Sequence, residues 1–386
     1  MIILHWLTSK TVRQATTLRR HVERLAHAQR DLLSPAALAA VQAAAEQLRR
    51  TIAAGAERAA LLRDMEQLEA TANKWLKPYP HAAWRENVEV LLVALSVAMA
   101  IRTFFLQPFK IPTGSMQPTL YGVTSVNLAE HPEIKPTRGL ARLREWFAGV
   151  SYVRLVAKAN GPIQRVDNPW RLLILNLRQT IWIGGVPHVL WFPPDSGQVD
   201  LATRAGLRPG DQFRRGDTVL NLRLQSGDHL FVDRLTYNFR PPRRGEIVVF
   251  ETKGIEALPQ DQFYIKRLVA LGGERVQLGE DRHLRINGER LDASTPHFEN
   301  VYTFDPKQPP RESQYSGHVK TPHLAPLFYA QPDGYQVPPN HYMVMGDNTV
   351  NSRDSREWGA FPAQNVIGKS FFVYWPITER FGWGHR

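Results

Sequence analysis

Leu91-Leu92-Val93-Ala94-Leu95-Ser96-Val97-Ala98-Met99-Ala100-Ile101 is followed almost at once by Pro108-Phe109-Lys110-Ile111-Pro112-Thr113-Gly114-Ser115-Met116-Gln117-Pro118-Thr119-Leu120. The first stretch is the centre of an apolar run from Val88 to Leu106. A bilayer-spanning helix needs roughly 20 such residues. Glu89 and Arg102 stand near its ends, where long charged side chains reach back to headgroups. The second stretch has the Pro, Gly and Thr of irregular backbone. The juncture predicts a transmembrane helix over 86–106, ending where a serine-bearing loop begins. Hydropathy alone leaves a buried core helix as the alternative.

Upstream, Val12, Ala15, Leu18, Val22 and Leu25 recur at three- and four-residue steps, the period of one helix face. Ser34-Pro35 marks a restart, with Ser as N-cap and Pro in the first turn. Val41, Ala44, Leu48, Ile52, Ala59 and Leu62 then form a second stripe. The pattern predicts an antiparallel helical hairpin over 1–76, closed by Lys77-Pro78-Tyr79-Pro80. Met1 to Leu7 is apolar but lacks a basic start and a small-residue cleavage site, so it does not read as a removable signal peptide.

Downstream the texture turns to short β-rich runs. Leu230 to Val232, Glu246 to Phe250, Gln262 to Ala270 and Ser370 to Trp375 read as strands, and Leu284 to Leu291 as a hairpin turning at Asn287-Gly288. The chain has 386 residues, no Cys and a net charge of +12. The absence of Cys excludes disulfides, thiolate metal sites and cysteine nucleophiles. The positive charge fits anionic lipid as well as nucleic acid. The basic residues are dispersed, and they crowd the N-terminal side of the apolar run, which favours that side staying in the cytoplasm.

Three further segments join the Ser115 loop. They are Gly227-Asp228-His229-Leu230-Phe231-Val232-Asp233-Arg234, the region from Arg244-Gly245-Glu246 to Tyr264-Ile265-Lys266-Arg267, and Gly346-Asp347-Asn348-Thr349-Val350-Asn351-Ser352-Arg353-Asp354-Ser355-Arg356. In this order, behind an apolar helix, they resemble the boxes of bacterial signal peptidase I, the leader peptidase family of Ser/Lys-dyad endopeptidases. The resemblance covers roughly 101–120, 226–276 and 343–376. It implies a mainly β catalytic domain of the signal-peptidase-like Ser/Lys fold, with the N-terminal α-helical hairpin and one transmembrane helix placed before it. Domain boundaries follow: the catalytic domain from 107–122, 226–280 and 341–377, an insertion of unknown role at 123–225, and a variable second β domain at 281–340.

The same resemblance implies roles. Ser115 is the nucleophile and Lys266 the general base, a Ser-Lys variant of triad logic. The Ser115 N–H and the Thr113 hydroxyl form the oxyanion hole. Ser352 orients the lysine, with Asp354, Arg356 and Arg267 in support, the two arginines engaging Asp354. Phe109, Ile111, Pro112, Met116, Leu120, Val249, Tyr264 and Ile265 line the substrate site, where tight apolar pockets admit only small residues. The peptide adds as a strand beside 109–112 and the strand ending at Phe250.

The implied reaction is removal of signal peptides from secretory preproteins at the bacterial inner membrane, with the catalytic domain outside the cytoplasm. The partners are then preproteins and membrane lipids, with no nucleic acid and no metal or organic cofactor. Oligomeric state is open. Two other readings stand beside this one: a self-cleaving Ser-Lys repressor-type protein, and a catalytically inactive membrane scaffold. The insertion, with its four Trp and the apolar Leu172 to Ile183, reads as a lid, a second membrane contact or a docking surface, and leaves substrate range open but not the reaction.

Overall fold

The computed structural model describes residues 9–55, 57–77, 82–172, 175–302 and 316–383. Met1 to Leu7, Pro78 to Pro80 and part of the expected second β domain at 281–340 lie outside the described residues. The chain divides into two compact units, 1–96 and 97–386.

The first unit corrects the hairpin. It holds three helices, Lys10–Ala28, Pro35–Ala53 and Arg58–Trp75, each packed on both others. Ser9 and Ser34 cap the first two through their side-chain oxygens. The unforeseen break falls at Gly55, whose φ is +65. Glycine adopts that left-handed geometry without the Cβ clash other residues suffer, so it is a favoured helix stop. The break also resets the buried stripe. Before it, Val41, Ala44 and Leu48 are buried as read. After it the core takes Leu61, Leu68 and Ala72, while Ala59 and Leu62 face outward.

The helix Ala82–Phe104 follows. Its 21-residue stretch Trp84–Phe104 contains an 18-residue window of mean hydropathy 1.7, so it is long and apolar enough to cross a membrane.

In the second unit an antiparallel sheet of eight strands carries the boxes. Its order is Leu106–Lys110, His229–Asp233, Val366–Trp375, Ile247–Glu251, Phe263–Ala270, His341–Met345 and Phe361–Pro362, with Gly382–Trp383 on the side of Val366–Trp375. The Ile247–Glu251 strand is buried on both faces. Ile247 and Val249 join Ile111, Met116 and Leu120 in one cluster, and Val248 and Phe250 join Leu268 and Phe361 in another.

Two further β modules sit in this unit. Arg275–Leu278, Leu284–Ile286, Glu289–Arg290 and Tyr335–Gln336 make a small four-stranded sheet. Its Asn287-Gly288 turn has positive φ at both residues, 50 and 91, as a two-residue hairpin requires. The insertion folds as β structure of its own. One part is a three-stranded sheet of Thr124–Asn127, Thr218–Gln225 and Val150–Val156. The other is a five-stranded sheet that includes Trp170–Leu172, Leu175–Ile183 and Val186–Trp191. Its core is mostly apolar, with Ile163, Ile181, Ile183, Leu220, Leu222 and Leu224 at its centre, and also buries Gln179 and His188.

Candidate active site

Ser115 reaches its position because the chain is pinned on both sides of it. Ile111 N–H donates to Asp228 O at 2.8 Å, continuing the pairing of Leu106–Lys110 with His229–Asp233. Two close backbone approaches then leave no room for side chains. A Cβ on Gly227 would stand 2.1 Å from Ile111 O, and one on Gly122 would stand 2.3 Å from the Thr113 carbonyl. From the far side, Asn348 donates through its backbone N–H to Ser115 O and through Nδ2 to Gly114 O, each at 3.1 Å. Asn348 is wholly buried. In sequence it read as turn chemistry inside the fourth box; its clamp on the serine loop needs a contact 234 residues long.

Lys266 comes from the Phe263–Ala270 strand, opposite Val248. Its Nζ lies 2.8 Å from Ser115 Oγ, 3.1 Å from Ile265 O, and 5.6 Å from the Tyr264 ring centroid. Ser115 and Lys266 are both buried. Burial removes water from the ammonium and is the largest influence on it. Asp354 and Asp347 pull the other way, Arg356 adds to the lowering, and the amine ends at about 8. An ordinary lysine stays almost wholly protonated at neutral pH, so this shift supplies a lone pair. Thr113 Oγ1 stands 3.5 Å from Ser115 Oγ.

The support residues arrange themselves differently from the expectation in one respect. Arg267 does not engage Asp354. It makes a bidentate pair with Asp347, Nε–Oδ1 2.7 Å and Nη2–Oδ2 2.6 Å, and donates to Gly245 O at 2.8 Å. Arg356 alone holds Asp354, with Nε–Oδ1 and Nη2–Oδ2 both 2.8 Å. Burial pushes the Asp354 carboxyl up, but the Arg356 charge and hydrogen bond, with the Gly346 N–H, outweigh it and hold it at about 2. Each guanidinium fork matches one carboxylate, so two buried arginines need two buried acids. Strand alternation separates them: adjacent residues 266 and 267 point to opposite faces.

Ser352 makes no hydrogen bond to Lys266. Its Oγ is buried without an aligned partner, tight against the Cα of Gly346. A Cβ on Gly346 would stand 2.1 Å from that Oγ and 2.5 Å from Ser115 O. Gly346 is therefore the point at which the fourth box passes under the nucleophile, a role that nothing in its sequence context distinguished from a turn glycine.

Of the residues expected to line the substrate site, Ile111, Met116, Leu120 and Val249 are buried in one cluster, with Phe109 and Ile265 partly buried against it. Tyr264 packs in the neighbouring cluster, and Pro112 is partly buried. The strand ending at Phe250 is not an edge. Phe263–Ala270 pairs with it on one side and Val366–Trp375 on the other, so no peptide can add there. The Leu106–Lys110 strand is an edge. Phe263–Ala270 pairs with His341–Met345 only from Arg267 onward, which leaves the stretch before Arg267 without a ladder on that side. Phe109 and Phe263 meet edge-to-face at 5.5 Å between these two stretches.

The insertion also touches this region. Asp195 pairs with Lys110, and a Cβ on Gly197 would stand 2.9 Å from Pro112 O. Arg204 donates to Val123 O at 3.1 Å and to Ser196 O at 2.8 Å.

The site is thus a buried serine–lysine contact in a mainly β domain that follows a helix long and apolar enough to cross a membrane. Residues 84–134 and 218–375 match the family described as signal peptidase, peptidase S26. The chain belongs to that family. The unmatched stretch between those two blocks is the greater part of the inserted module. Signal peptidase I of Leptolyngbya laminosa is 33% identical over 161 residues, 40% of this chain and 64% of that protein. A probable signal peptidase I-2 of Synechocystis is 30% identical over 157 residues, 40% of this chain and 59% of that protein. Signal peptidase I of Pseudomonas fluorescens is 31% identical over 185 residues, 40% of this chain and 61% of that protein. The chain thus spans about three fifths of the length of these relatives.

Proposed function

We propose that the protein is a membrane-bound endopeptidase that removes signal peptides from secretory preproteins. The observation that carries this reading is the 2.8 Å contact between Lys266 Nζ and Ser115 Oγ, buried, with the lysine lowered to about 8. Neutral Lys266 takes the hydroxyl proton as Ser115 Oγ attacks the scissile carbonyl. The Ser115 N–H and Thr113 hydroxyl receive the developing oxyanion. The lysine then passes its proton to the leaving amine, which frees the mature protein. Water, deprotonated by the same amine, attacks the acyl ester and restores Ser115.

The Asp354–Arg356 and Asp347–Arg267 pairs serve this chemistry by keeping both carboxylates occupied. An acid bonded to Lys266 would fix its proton, and here neither acid is hydrogen-bonded to it. The substrate strand lies between 109–112 and the stretch before Arg267, in place of the strand ending at Phe250. Small residues before the cut fit because the apolar floor beneath, Ile111 and Met116 with Val249, is already filled. The helix 84–104 anchors the chain, with residues 1–76 on the cytoplasmic side and the catalytic sheet outside.

Incubating purified protein with a preprotein tests the reading. Wild type should yield the mature chain and Ser115→Ala none. Cleavage by Ser115→Ala at more than about a hundredth of the wild-type rate would overturn it.

A further inference from the structure

The inserted module shows a surface that the catalytic reading does not use. At one end of its five-stranded sheet, Trp170, Leu172, Leu175, Trp191 and Phe192 are each more than half exposed. Ladder register places Trp170, Arg178 and Trp191 directly opposite one another across three strands, so they share one face. The Arg178 guanidinium lies 5.9 Å from the Trp170 ring. Phe192 holds a φ of +49, a rare conformation for a bulky residue. Farther along the Leu175–Ile183 strand the pattern inverts, and Ile181 and Ile183 are fully buried. The large, more than half exposed apolar side chains of this sheet gather at this end; at the other end the smaller Val186 is exposed, at 36%.

We propose that this end of the inserted module rests in the headgroup layer of an anionic bilayer, a second membrane contact beside the 84–104 helix. Tryptophan rings flanked by arginine are the side chains that favour that layer, having an apolar body and a polar or charged tip. The insertion, 123–225, carries 14 Lys and Arg against 8 Asp and Glu, a charge that suits acidic lipid. Position supports the same occupant. Phe192 is three residues before Asp195, whose partner Lys110 is six residues past Phe104, the end of the spanning helix. Those two links total nine residues, roughly 30 Å of fully extended chain, joined through the Lys110–Asp195 side chains, so the patch is tethered within about 40 Å of where the chain leaves the membrane. This surface lies outside the stretches that match the family, and its proposal does not depend on the peptidase reading.

The chain has no Cys, so single-cysteine labelling tests it directly. Full-length Trp170→Cys, Trp191→Cys and Phe192→Cys proteins, and Arg214→Cys as the control, are labelled with an environment-sensitive dye. Arg214 is exposed and follows the Gln212–Phe213 strand, at the opposite end of the same sheet. The proteins are reconstituted in phosphatidylethanolamine/phosphatidylglycerol vesicles containing a lipid spin-labelled near the headgroup. The three patch sites should show blue-shifted emission and at least twofold stronger quenching than position 214. Replacing phosphatidylglycerol by phosphatidylcholine should weaken the difference. Solvent-like emission at the patch sites, equal to that at 214, would overturn the proposal. Emission that shifts only when other membrane proteins are added would overturn it too, and would assign the surface to a protein partner.

Discussion

The catalytic sheet and the inserted module are both antiparallel β structures with well-filled cores, yet they bury different things. The catalytic sheet buries Lys266, Arg267, Asp347, Asp354 and Arg356 among its hydrocarbon side chains. The module's buried polar side chains are Thr124, Gln179 and His188, with no Lys, Arg, Asp or Glu buried among its described residues, and its large exposed aromatics are on the surface. Buried charges cost solvation and are tolerated when each has a geometric partner. In the catalytic sheet the partners come in pairs, and the one amine outside those pairs is Lys266, lowered by burial beside Ser115. Stability and reactivity are thus coupled there and separable in the module.

The widest test of that contrast is chemical. Lys266→Arg should lower turnover at least about 10³-fold with folding intact, because guanidinium remains protonated. In the wild type, the rate on a peptide should rise with pH through about 8, the lysine's position. A pH–rate profile of both proteins checks this, and near-normal turnover of Lys266→Arg would remove the lysine from the mechanism.

Gly346→Ala should come next. The new methyl would meet Ser115 O and Ser352 Oγ, so we expect about 10²-fold loss of activity in a protein that still folds. A crystal structure or near-ultraviolet spectrum would separate local displacement from unfolding.

Asp354→Ala strands Arg356 in the core and should cost about 3–5 kcal/mol of stability. Leu222→Ala in the module should cost about 2–5 kcal/mol while leaving activity per folded molecule unchanged. Denaturant unfolding read beside activity distinguishes them, and a loss of specific activity in Leu222→Ala would break the contrast. The acid limb has a definite sign. Asp354 is held at about 2 in the folded protein, below the usual carboxylate range. Its contribution is therefore complete above about pH 4 and fades as pH falls toward 2.

The smallest effect should come from Asp195→Asn. The Lys110–Asp195 pair is only partly buried. Such pairs contribute about 0.2–1 kcal/mol, so peptide cleavage should fall no more than a few-fold. A larger drop would show that the module helps to hold the Lys110–Pro112 segment in place.

Local chemistry carried much of this protein's design. A run of apolar residues near bilayer length reads as a spanning helix because helix rise and bilayer thickness are fixed. Periodicity located the buried face of the first helix, and Asn287-Gly288 located a hairpin, because both signals lie within a few neighbouring residues. Ser115 and Lys266 were singled out differently, by the resemblance of four separated segments taken in order, since neither residue is distinctive among its own neighbours. Tertiary structure decided the rest. A stripe of small apolar residues does not say where Gly55 will stop a helix, since that depends on how much core the neighbouring helices offer. Which arginine holds which acid depends on the faces that strand alternation assigns to 266 and 267. Whether the strand ending at Phe250 is an edge depends on where Val366–Trp375 comes to pair. Gly346 and Asn348 acquire their meaning only when the chain brings them beneath Ser115, more than two hundred residues away along the sequence. Contacts of that length are set by the whole fold, so no local pattern announces them.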